Sequence, residues 1–259
     1  NQRTVIDMNK NINRTVIPII ISMFVSACTT VGTHDRDTFA STDFGPREEL
    51  RICLLTDEGI TERSARKLFS RVGDELSDFG IEVTIPWVKQ WKRPAFLMDG
   101  ILEDVALRPL EPPCDRLMAI VGRNVGDFIT SWFSPEVLGA VETVTYTRGY
   151  VVGKTATLNQ LFQRPAEVAV HESYHLLGCV HGISLAECYP HIKQLKAIAR
   201  SNRNSGNDFF PGTSLYRQPI ASRGETGKQI RDIYVNIKDN QLASNSPQCQ
   251  KSHPHASCR

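Results

Sequence analysis

Residues 171–181 read His171-Glu172-Ser173-Tyr174-His175-Leu176-Leu177-Gly178-Cys179-Val180-His181, a run in which three histidines follow helical and turn spacing. On a helix, residues four apart stand one turn above each other, so His171 and His175 share a face and can present imidazole nitrogens to one ion. Gly178 offers the left-handed exit that ends a helix sharply, which lets His181 swing back toward the pair. Three neutral imidazoles leave a fourth tetrahedral position for water, the feature that separates a catalytic zinc from a structural one. Glu172 falls beside the ligand face, where a carboxylate can take a proton from a water and deliver it to a departing amine. These five residues in this order arise by accident on the order of once in 10^5 chains of this composition. Glu187 and His191 are rival third ligands without the glycine-mediated spacing. His253 and His255 lie between Cys249 and Cys258, where a disulfide-closed tail is the more natural expectation.

Outward from the motif, the pattern predicts an α/β (α+β) body. A helix covers Ala166 to Leu177, with Pro165 in its first turn, where the missing N–H costs nothing. Upstream, Ile52-Cys53-Leu54-Leu55 is an apolar run of strand length, followed from Thr61 by Leu68, Val72, Leu76 and Phe79 at helical spacing. Ile81, Val83 and Ile85 alternate as a second strand, and Leu117 to Val121 reads as a buried third. The Pro-rich excursion from Trp91 to Pro113 is expected at the surface. Val144 and Tyr146, then Tyr150 and Val152, flank Thr147-Arg148-Gly149 as a hairpin connection. Downstream, helices are expected through Ile192, Leu195 and Ile198, and through Ile230, Ile233 and Ile237. No internal repeat is visible.

The first residues fix the expected compartment. From Met8, read as the initiator, a cationic start leads into an apolar stretch, Thr15 to Phe24, and small residues at Val25-Ser26-Ala27-Cys28. That is the order of a secretory signal, so residues 1–27 are read as upstream residues (1–7) followed by a signal peptide, and the stretch is shorter than the roughly 20 apolar residues of a membrane span. Val25 to Cys28 resembles the lipobox of bacterial lipoproteins, which implies lipidation of Cys28; Thr29 after it points, by that analogy, to the outer membrane. Residues 28–49 are polar and aperiodic, and are expected to form the lipidated Cys28 and a tether. The other six cysteines suit an oxidising compartment, with Cys179–Cys188 and Cys249–Cys258 as guesses from proximity. The 30 Lys+Arg and 28 Asp+Glu give a near-neutral chain, so no nucleic-acid partner is expected.

The pattern H-E-x-x-H-x-x-G-x-x-H resembles the zinc-binding signature of the metzincin metalloendopeptidases. The resemblance implies His171, His175 and His181 as ligands of one catalytic Zn2+ ion, Glu172 as general base and Gly178 as the turn beneath them. It also implies a mixed twisted sheet with an active-site helix over 50–181, and a smaller irregular helical subdomain over 182–259. In that family an edge strand binds extended substrate, and the segments around Val144 to Ala156 are the candidates here. The family's methionine turn departs: Met8, Met23, Met98 and Met118 all precede His181. Thr213-Ser214-Leu215-Tyr216 is the possible equivalent, with Leu215 as an apolar floor or simply a loop residue, and Tyr216 reaching toward the site. The resulting expectation is an exported zinc endopeptidase, tethered to the membrane by lipid and acting on a peptide or protein substrate. The alternative is a non-catalytic zinc-binding envelope lipoprotein serving in binding or assembly. An amidase of cell-wall peptides is a third reading.

Overall fold

The computed structural model describes residues 36–94, 98–122, 137–154 and 164–244. Residues 1–35, among them Cys28 and the expected signal peptide, and Cys249, Cys258, His253 and His255 lie outside the described residues. The elements are α1 (Arg36–Ser41), β1 (Glu48–Thr56), α2 (Glu62–Ser77), β2 (Ile81–Thr84), β3 (Val88–Gln90), α3 (Met98–Leu107), β4 (Arg116–Val121), β5 (Gly139–Val141) and β6 (Arg148–Val152). Then follow α4 (Pro165–Leu176), α5 (Leu185–Asn204), β7 (Gly212–Thr213), β8 (Pro219–Ile220) and α6 (Arg223–Ser244).

A mostly parallel sheet runs β2-β1-β4-β6-β5, with β3 continuing beside the far end of β1. β1, β4 and β6 are parallel neighbours, and β5 runs antiparallel to β6 at the edge. Every residue of β4 is buried, because helices cover both sheet faces and side chains on alternate positions both enter a core. Leu50, Ile52, Leu54, Met118 and Ile120 face the core shared with α2, α4 and α5. Cys53, Leu55, Leu117, Ala119 and Tyr150 face a second core with Trp91, Ile101, Val105 and Leu110. The mixed α/β expectation holds at this level, with six described helices.

Three expectations are corrected. Part of the tether is packed: Phe39 of α1 and Phe44 stack edge-on against Phe79 and Tyr189, and Lys196 Nζ donates to the Phe44 carbonyl at 2.7 Å. Aromatic burial there outweighs the polar composition of residues 36–49. The Trp91–Pro113 excursion contains α3 and covers the second sheet face, whose apolar residues would otherwise meet water. In the hairpin, Arg148 and Gly149 lie within β6, and the connection is Glu142 to Thr147. The Glu142 carboxylate organises that turn by accepting from the N–H groups of Val144, Thr145 and Thr147 at 2.8–2.9 Å. Gly149 is small because a methyl there would lie 2.5 Å from the Ala140 carbonyl of β5.

Helix α2 begins with Thr61 as its N-cap, accepting from Ser64 N–H, and buries Ala65, Phe69, Val72 and Leu76. Leu68, expected in the core, is only partly buried beside Phe69. Among the described residues two disulfides join Cys53 to Cys114 and Cys179 to Cys188. They suit an oxidising, extracellular environment, and no described helix is long and apolar enough to cross a membrane.

Arg116, buried on β4, ties the last part of the chain beneath α4. Its guanidinium donates to the carbonyls of Leu176 at 2.9 Å, Asp115 at 2.8 Å, Phe210 at 3.0 Å and Pro211 at 2.6 Å. Burial lowers its pKa to about 10, against the pull of Asp115 and Glu142, so it remains cationic at neutral pH.

Candidate metal centre

Helix α4 starts with Pro165 at its first turn and ends at Leu177, where Gly178 takes φ +78°. The turn is closed by Gly178 N–H donating to the His175 carbonyl at 2.8 Å and Cys179 N–H to the Tyr174 carbonyl at 3.0 Å. The result brings His171, His175 and His181 together: His175 Nε2 lies 3.1 Å from both His171 Nε2 and His181 Nε2. Among the described residues this is the one group of side chains arranged to hold a metal ion.

Its donor set fits a cation. His175 Nδ1 stands 2.5 Å from the Cys179 carbonyl, which can only accept, so the proton sits on Nδ1 and Nε2 is left with its lone pair. That lone pair faces two other imidazole nitrogens. A tetrahedral ion with nitrogen ligands at about 2.0–2.1 Å spaces them roughly 3.3–3.4 Å apart, close to the separations found. Burial lowers the His171 pKa to about 4, aided by the neighbouring His175 and His181, and burial also lowers that of His175. Neutral rings are what a metal requires.

Glu172 is buried, and its Oε2 has no hydrogen-bond partner within the protein. Desolvation raises its pKa to about 8. The backbone of β5 closes over it: a methyl built on Gly139 would lie 2.7 Å from Glu172 Cγ and 2.8 Å from Oε1. A buried carboxylate oxygen without a partner is costly in a purely structural role, and beside a cluster of imidazoles it marks a candidate functional group. Gly139 is a site residue that sequence reasoning missed; it belongs to no motif and lies far from Glu172 along the chain.

The rival ligands are engaged elsewhere. Glu187 forms a capping box with Ser184 at the start of α5. His191 is buried, with Nε2 3.0 Å from Thr213 Oγ1. The floor expected of Leu215 is also corrected: Leu215 is 57% exposed and Tyr216 83% exposed. Both sit at the tip of the β7–β8 hairpin, where Arg217 N–H donates to the Ser214 carbonyl and Ser214 N–H to that of Gln218. The tight turn directs them outward, and Thr213 is the residue against Gly178. No family model matches the chain, and no curated protein matches it in sequence.

Proposed function

We propose that this chain is an exported zinc-dependent endopeptidase of metzincin type, hydrolysing a peptide or protein substrate. The observation that carries the reading is the convergence of three imidazole Nε2 atoms beside the buried carboxyl of Glu172, one residue from the first ligand, whose Oε2 has no hydrogen-bond partner. His171, His175 and His181 would hold the ion, and a set of three neutral nitrogens suits zinc. When bound, the ion supplies Lewis acidity, which acidifies a water and polarises the scissile carbonyl.

The protein's own residues do the rest. Glu172, as the carboxylate one residue from the first ligand, would take a proton from the attacking water and hand it to the leaving amine nitrogen. The Nδ1–H of His175, fixed by the Cys179 carbonyl, keeps its other nitrogen aimed inward. Among the described residues β5 pairs only with β6, so its other edge can receive an extended peptide, and Glu172 packs on the face of that strand at Gly139. The leader and Cys28 support export and a lipid tether at the bacterial outer membrane.

The test is zinc content and cleavage of casein or a broad peptide library by the soluble body, beside Glu172→Gln. Equal zinc in both proteins, with cleavage only by the parent, is the expected result. Zinc in both with cleavage by neither would favour the non-catalytic envelope module.

A further inference from the structure

The floor under Gly178 is polar. Thr213 is fully buried and His191 is 6% exposed, and the two are joined by the contact between His191 Nε2 and Thr213 Oγ1. A methyl on Gly178 would stand 2.7 Å from Thr213 Oγ1, 2.8 Å from its Cγ2 and 2.9 Å from His191 Nε2. The turn that carries the chain from His175 to His181 therefore rests directly on this pair. Thr213 is itself fixed, because its N–H donates to the Thr145 carbonyl at 2.8 Å within the turn organised by Glu142.

Helix α5 grips the same turn at a second point. Cys188 and His191 are three residues apart and so lie on one face of the helix. The first holds Cys179 by a disulfide, and the second holds Thr213 under Gly178. His181 follows Cys179 by two residues and is exposed, so the gripped turn is what limits where its imidazole can go.

We infer that Thr213 and His191 are positioning residues of the metal centre: their hydrogen bond beneath Gly178 sets the turn that carries His181 to the two helical imidazoles. This rests on the metal reading of the histidine cluster, though not on peptidase activity. An opened turn would leave His171 and His175 as a two-nitrogen site while displacing the third donor. Support of this kind for a ligand is worth about tenfold or more in metal affinity.

The experiment is titration of the metal-free protein with cobalt(II), reading affinity and the visible d–d absorption, for the parent, Thr213→Val, Thr213→Ser and His191→Phe. Thermal melts and far-UV dichroism establish folding. The parent should bind one cobalt with an intense, low-symmetry spectrum. Thr213→Val should bind about tenfold more weakly with altered bands, Thr213→Ser should restore the parent's values, and His191→Phe should resemble the valine variant. A folded Thr213→Val with the parent's affinity and spectrum, whatever its melting temperature, overturns the inference; if that variant does not fold, the same result from His191→Phe does so. Absence of cobalt binding by the folded parent overturns the metal reading, and this inference with it.

Discussion

The two sides of the histidine cluster are built differently. His171 and His175 occupy successive turns of α4, and their mutual placement follows from 3.6 residues per turn. His181 stands on an irregular connection, exposed to solvent, and owes its place to Gly178, Cys179 and residues of α5 and β7. The helical pair of histidines is thus set by local geometry, while the third depends on contacts that the whole fold must deliver.

The largest expected effect separates chemistry from both sides. Glu172→Gln should leave zinc content unchanged and lower kcat for peptide cleavage by about 10²–10⁴, the usual worth of a general base. Unaltered turnover in that variant would remove Glu172 from the reaction. Next are the two disulfides, compared by replacing each pair with alanine. Losing Cys53–Cys114, which spans 61 residues, should cost about 4 kcal/mol on chain-entropy grounds, and Cys179–Cys188, which spans 9, should cost nearer 3 kcal/mol. Only the second should weaken zinc binding, as measured by competition with a chelator; equal zinc affinity in both variants would break the contrast.

Removing either His175 or His181 should lower zinc affinity by about 100-fold or more, from an equal share of typical zinc binding energies. The metal-free proteins should differ. His175→Ala deprives the buried Cys179 carbonyl of its imidazole donor, and should lower unfolding free energy by about 1–3 kcal/mol in urea. His181→Ala, at an exposed position, should not. The smallest effect is a pH dependence at the floor. Burial, with a smaller push from Arg217, lowers the His191 pKa to about 4. Below pH 6.5 the unfolded chain takes up a proton that the folded one refuses. Stability from this residue is therefore full above pH 6.5 and falls as pH drops toward 4, by on the order of 2–3 kcal/mol. Metal-free parent and His191→Gln should converge in relative stability over that interval in urea melts at stepped pH; parallel curves would count against it.

The sequence reading succeeded where local pattern and burial agree. β1 and β4 were legible because central strands of a parallel sheet read as continuous apolar runs. The start of α2 near Thr61 was legible from apolar spacing, and the stop at Gly178 from the left-handed conformation that glycine admits. The helical ligand pair came from spacing alone. What escaped were contacts between distant segments. Gly149 reads as a turn residue, yet is small because the Ala140 carbonyl passes beside it. The helical pattern of α3 is short and lies among prolines, and its burial follows from the open sheet face it covers. Leu215 reads equally as an apolar floor or a loop residue; a tight hairpin turn sends it to solvent and leaves Thr213 and His191 underneath.

The guanidinium of Arg116 bears on how the molecule comes apart. It joins the end of α4 to Phe210 and Pro211 through their carbonyl oxygens, deep inside the protein. Peeling away the last third of the chain would strand a buried cation without its acceptors, a penalty that discourages partial opening. Amides of α4 and those flanking β7 should consequently exchange with deuterium through one shared cooperative event; distinct opening free energies for the two segments would show that they detach separately.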